Sequence, residues 1–146
     1  MDQQTKIIKH ILVGVDDSPD ALTAFQYALH RAKQEDTELT IVSILESHEM
    51  NVFQALDKDY VHGQRAELEE HIKKYQQLAK EAGIKTVNAV IAEGDPGDTI
   101  VNQVIPAVKP DLLIVGARSK QGIAKHFGSQ AAYMAKYAPI SVLVVR

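Results

Sequence analysis

The stretch Leu112–Ala131, LLIVGARSKQGIAKHFGSQA, decides how the rest of this chain is read. It opens on an unbroken apolar run, Leu112 to Val115, that reads as a buried strand. Gly116 ends the run, a short basic loop follows, and Gly128-Ser129 opens a helix. That is the layout of an anion-binding turn. Backbone N–H groups at a helix start favour phosphate, and glycine lets a phosphate come close to the backbone. From Leu112 to Arg146 there is no acid, whereas Arg118, Lys120, Lys125, Lys136 and Arg146 are cationic. This segment carries +5 in a chain whose net charge is −3, which leaves −8 for the remainder. The positive charge of an acidic chain is gathered around one glycine-bounded loop.

Towards the N-terminus, His10 to Asp16 (HILVGVD) reads as a second continuous apolar strand, covered on both faces and central in a parallel sheet. Ser18-Pro19 is a helix start, with serine as cap and proline at the first helical position. Ala21, Leu22, Phe25, Ala28, Leu29 and Ala32 then recur at helical spacing. Leu39 to Leu45 is another strand. The connection from Glu46 to Lys58 is long for an α/β chain, as lids and interface segments often are, and carries no firm secondary-structure signal. A long helix runs from about Asp59 to Ala82, with Leu68, Ile72, Tyr75, Ala79 and Ala82 on one stripe and Gly83 at a left-handed cap. Lys85 to Ala92 contains Thr86 and Asn88 and fits a sheet edge. Gly94-Asp95-Pro96 is a further strand-to-helix turn, with Asp95 as cap. The helix after it buries Ile100, Val101, Val104, Ile105 and Val108 and is kinked or frayed by Pro106. Ser129 to Tyr137 forms the last helix, stopped before Pro139, and Ile140 to Val145 the last strand.

The alternation β-α-β-α-β-α-β-α-β implies parallel strands, right-handed crossovers and helices on both faces. In such sheets ligands bind beyond the carboxyl ends of the strands, where the winding direction reverses. If the first and fourth strands are neighbours there, Asp16 and Gly116 face each other across the crevice.

Bulk properties narrow the function. At 146 residues one domain, 1–146, is expected, and 45% apolar with 24% charged residues is ordinary for a globular protein. The mild negative charge argues against a dedicated nucleic-acid binder. Without cysteine there is no disulfide, thiol catalysis or thiolate metal site. No apolar run reaches the length of a membrane span, and the N-terminus has no apolar signal core, so a cytoplasmic location is the default expectation. The six histidines make no ligand set. Glu67 and His71, four apart on a helix, read as a surface contact before a metal site.

Three features together resemble the universal stress protein family, in its single-domain form. They are Val15-Asp16-Asp17-Ser18 at the end of the first strand, the Gly94-Asp95-Pro96 turn, and Gly116…Gly128-Ser129 followed by Pro139 to Val145. The resemblance covers essentially the whole chain. It implies a Rossmann-like, three-layer α/β fold with five parallel strands in the order 3-2-1-4-5. It further implies ATP, with Mg²⁺, held at the switch point between strands one and four, or AMP or ADP in its place. Carried over by resemblance, Asp16 contacts the ribose or the metal-phosphate region, Ile44 lines the adenine pocket, and Val115 and Gly116 wall the base and ribose. Gly128, Ser129 and Gln130 hold phosphates. Val15, Ser18, Arg118, Ser119 and Gly122 complete the set. The ATP-binding branch of that family has a second glycine three residues after the first, and its Gly-Ser or Gly-Thr comes after nine more intervening residues. Here Ser119 stands at the second glycine, Gly128 comes one residue early, and Gly122 offers an alternative flexible point.

Other readings stay open at this stage. Ser18 and Asp95 serve as helix caps without any ligand, and Gly116 and Gly128 as tight turns. The loop lacks the Gly-Lys-Ser/Thr ending of a P-loop and no base is evident beyond Asp16, so at most a slow ATPase is expected. A phospho-receiver would need a lysine after the fifth strand, where the sequence ends. The last strand is an apolar sheet edge in the 3-2-1-4-5 order, which invites pairing with a second copy through Ile140 to Val145. A dimeric interaction module without nucleotide is the main alternative.

Overall fold

The computed structural model describes residues 7–46, 51–118 and 128–146. Five parallel strands form one sheet: β1 (His10–Gly14), β2 (Glu38–Leu45), β3 (Val87–Glu93), β4 (Leu112–Gly116) and β5 (Ser141–Val145). Their order is β3-β2-β1-β4-β5, as the family resemblance implied. The helices are α1 (Pro19–Glu35), α2 (Val52–Leu56), α3 (Lys58–Glu81), α4 (Pro96–Thr99), α5 (Ile105–Val108) and α6 (Ser129–Tyr137).

The unbroken apolar runs of β1 and β4, and the burial of β2, are explained by two cores, one on each face of the sheet. On one face Ile11, Val13, Leu39, Ile41 and Ile114 pack against Ala24, Phe25 and Ala28 of α1 and Ile72, Tyr75 and Ala79 of α3. On the other, Leu12, Val42, Leu113 and Val115 pack against Ile100, Val104, Ile105, Ala131 and Met134. Alternate residues of a strand point to opposite faces, so a strand covered twice must be apolar throughout.

Local chemistry sets the element ends. Ser18 caps α1, accepting the Ala21 N–H at 3.1 Å, with Pro19 in the first turn. Leu22, expected on the buried face, is 43% exposed, because the helical period turns Ala21, Ala24, Phe25 and Ala28 inward instead. α3 ends in a Schellman motif: Gly83 has φ +97°, its N–H meets the Lys80 carbonyl, and the Ile84 N–H meets that of Ala79. The connection without a firm assignment contains α2, nucleated by a reciprocal capping box between Asn51 and Gln54.

Pro106 neither breaks nor frays its helix. It has no N–H to return to the Asn102 carbonyl, and the chain widens into a π-helical turn over Ile100–Val104, where the Ile105 N–H reaches back to Ile100. Lys109, in the left-handed region at φ 57°, closes α5. Among the described residues, no helix is long and apolar enough to cross a membrane.

Candidate functional site

β1 pairs with β4 only from Ile11 to Val13, opposite Leu112 to Ile114. Beyond that point it stays with β2, the Val15 N–H donating to the Val42 carbonyl at 2.9 Å. The helices that follow β1 and β4 lie on opposite faces, and the gap between the two strand ends opens into a crevice of about 620 Å³, counting the open solvent at its mouth. Its walls are largely apolar: Val42, Ile44, Ile100, Val115, Ala131 and Met134. The polar residues Asp16, Glu46, Arg118 and Gln130 also line it.

The turn after β1 is pinned from several sides. Val15 is locked by the Ser43 hydroxyl, which donates to its carbonyl at 3.1 Å. Asp16 accepts the Ser18 N–H on Oδ1 at 3.0 Å. Asp17 lies in the left-handed region at φ 62°, an unusual place for a residue with a side chain. Its carboxylate accepts a hydrogen bond from the Tyr75 hydroxyl and lies 2.9 Å from His71 Nδ1. His71 therefore contacts Asp17, and among the described residues no metal-ligating cluster forms.

At the end of β4, a Cβ on Gly116 would lie 2.7 Å from the Asp20 carbonyl carbon and 2.8 Å from the Ala21 nitrogen. Glycine is needed here because β4 runs against the backbone of α1. Asp20, 5% exposed, takes Arg118 as a two-pronged partner: Nε donates to Oδ2 and Nη2 to Oδ1, each at 2.8 Å. The Arg118 N–H adds a third bond to Oδ2 at 3.1 Å. These hydrogen bonds hold the Asp20 carboxyl below its usual range against the opposing effect of burial, and raise the Arg118 guanidinium further.

Across the crevice, Gln130 ties two helix starts together. Its Oε1 accepts the Gly97 N–H at 2.7 Å, and its Nε2 donates to Asp95 Oδ1 at 3.1 Å. Asp95 occupies the cap position of α4 but makes no side-chain cap bond, contrary to the sequence reading. The amide of Gln130 supplies that acceptor from α6 instead. Gly97 leaves room for it, since a Cβ there would sit 2.7 Å from Oε1.

Comparison with known proteins places this geometry in a family. The sequence profile of the universal stress protein family matches residues 8–146. The chain belongs to the universal stress protein family. A Staphylococcus haemolyticus protein assigned to the universal stress proteins is 32% identical over 139 residues, covering 94% of this chain and 84% of the relative. Among solved structures, universal stress protein UspA from Lactobacillus plantarum superposes with a TM-score of 0.86 at 23% identity, covering 97% of this chain and 100% of its own. A universal stress protein in complex with cAMP superposes at 0.72 with 27% identity, covering 97% and 99%. An Arabidopsis thaliana member with AMP bound superposes at 0.64 with 21% identity, covering 94% and 90%.

Of the residues singled out in this universal stress protein from sequence, Val15, Asp16, Ile44, Val115, Gly116, Arg118 and Gln130 converge on the crevice. Ser18 is 2% exposed beneath it and is engaged as the α1 cap. Gly128 sits at the cap position of α6 in extended backbone, its N–H donating to the Ala117 carbonyl at 2.7 Å, and Ser129 follows as the exposed first residue of the helix. Neither is among the crevice walls. Ser119 and Gly122, with Lys120 and Lys125, lie outside the described residues. Sequence reading placed Pro96 further along the same rim, and missed Gly14, Ala21, Val42, Glu46, Ile100, Ala131 and Met134. Val42 and Glu46 were within reach, being near the carboxyl end of a recognised strand. Ile100 carried no signal, because its approach depends on packing across the sheet.

Proposed function

We propose that this universal stress protein binds an adenine nucleotide in the crevice between β1 and β4, and that binding serves stress signalling. The observation that carries the reading is the composition of the crevice: apolar side chains on its walls, with two acidic residues and the start of α6 also lining it. Apolar walls suit the faces of a purine, and carboxylates accept ribose hydroxyls. The first turn of α6 offers backbone N–H groups to phosphate. Ile44 and Val115 would flank the base, Asp16 the ribose, and Gly128, Ser129 and Gln130 the phosphates, with Val15, Ser18, Gly116 and Arg118 shaping the surround. The relative in complex with cAMP and the AMP-bound neighbour favour adenine as the base. ATP with Mg²⁺ is the proposed ligand, and AMP or ADP would use the same base and ribose contacts. The metal would be held through phosphates with Asp16. Binding, with at most slow hydrolysis, is the proposed activity, and the 1–146 chain would act as one nucleotide-binding domain that dimerises through β5.

The test begins with denaturing the purified protein and identifying any nucleotide released. Thermal shifts with AMP, ADP and ATP, with and without Mg²⁺, follow. A ligand at a hundredfold its Kd adds about 2.7 kcal/mol, or roughly 5–10 °C for a domain of this size. Ile44→Arg, which fills the crevice from β2, should abolish the shift. An empty protein with no shift for any of the three nucleotides would discard the reading in favour of an interaction module.

A further inference from the structure

We propose that Tyr75 and His71 of α3 are positioning residues for the crevice: by holding the Asp17 carboxylate, they fix the β1–α1 turn in the backbone shape that directs Asp16 at a bound nucleotide. The inference rests on the nucleotide reading above and adds a control point outside the crevice walls.

Asp17 stands between two residues with defined tasks. Asp16 lines the crevice, and Ser18 caps α1. Its left-handed φ of 62° carries a cost that must be offset by its surroundings. The offset comes from a single helix. Tyr75 donates to one carboxylate oxygen, and His71 Nδ1 meets the other at 2.9 Å. Residues four apart share a helix face, so the two contacts arrive together from one rigid rod of 24 residues.

Packing alone does not call for a hydroxyl at position 75. The Tyr75 ring is buried and meets Phe25 edge-on, with centroids 4.8 Å apart. A phenylalanine would make the same ring contact. Burial in the first place, and then the bond to Asp17, raise the phenol well above its usual range. His71 is half-exposed, and nothing in the core depends on it. Both groups spend their polarity on one carboxylate, and that carboxylate belongs to the residue next to Asp16.

The experiment compares wild type with Tyr75→Phe, His71→Ala, Asp17→Asn and Asp17→Gly, by calorimetric titration with AMP and with Mg-ATP and by thermal unfolding. Tyr75→Phe should weaken binding about tenfold, the size expected when a hydrogen bond to a charged group is lost. His71→Ala, on the surface of α3, should weaken it in the same direction. Asp17→Asn keeps an acceptor and tolerates the left-handed region, and should bind close to wild type. Asp17→Gly removes the backbone strain and the contact together, and should bind as weakly as Tyr75→Phe. A purely structural contact would lower Tm in all four variants without that ranking of affinities.

Wild-type binding with unchanged affinity in Tyr75→Phe, or wild-type affinity in Asp17→Gly, would overturn the inference while leaving the nucleotide reading in place. Absence of binding by wild type would remove the nucleotide reading and this role with it. Hydrogen exchange at the Ser18 amide, which donates to Asp16, is read without nucleotide. It should accelerate in Tyr75→Phe, and unchanged protection there would overturn the positioning role regardless of ligand.

Discussion

Asp20 shows how a buried charge can tie elements together without lining the crevice. Its carboxyl is lowered first by the hydrogen bonds from Arg118, with burial opposing them. A carboxylate with a depressed folded-state pKa contributes stability above its unfolded value and loses that contribution as pH falls through the folded one. Asp20→Asn should therefore lower Tm by a constant amount near neutrality, and the difference from wild type should shrink below about pH 4. A difference equally large at pH 3 and pH 7 would mean that the pairing is not its source. The pair also changes the reading of Arg118. In the sequence it counts among the loose cations of a phosphate loop. In the fold it is anchored to α1 by three bonds from side chain and backbone. Nothing in the sequence marks Asp20 as buried, because an acid in the first turn after a proline reads equally well as an exposed complement to the helix dipole.

Strands and helices were more legible than their contacts. Continuous apolar runs named β1 and β4 as buried strands, since only a doubly covered strand can be apolar on both faces. Ser18, Pro19 and Gly83 marked helix ends because capping is local chemistry. The π-helical turn was legible only as a disturbance at Pro106, since the sequence shows the lost donor and not how the chain absorbs it. Gly116 was legible as a glycine-dependent turn, and the fold adds a reason that the sequence does not show: it is the place where β4 and α1 touch. Gly116→Ala should cost about 1–3 kcal/mol in urea unfolding, as overpacking does when backbone must move. Wild-type stability in that variant would mean that β4 and α1 are free to part. The same contact makes Gly116 a poor place to test ligand binding, since any side chain there disturbs the fold as well.

At the scale of the molecule, β5 ends the sheet, and its residues Val142, Leu143, Val144 and Val145 are only half-buried. An apolar edge strand is a template for pairing. Light scattering at micromolar concentration should give twice the chain mass, and Val144→Lys should shift it to one chain. A single-chain mass for wild type would end the proposal of dimerisation there. The strand order followed from family resemblance, whereas the crevice walls were legible only in part, because residues such as Ile100 and Met134 arrive from elements distant in sequence. The amide of Gln130 carries a consequence for how such sequences drift. It accepts from a backbone N–H on one side and donates to Asp95 on the other, so the two side chains are not independent letters. An acid at position 130 could keep the first bond but would face Asp95 with like charge. Lineages that cross that step are expected to change position 95 with it, leaving a paired substitution as the inherited trace of one side chain shared by two helices.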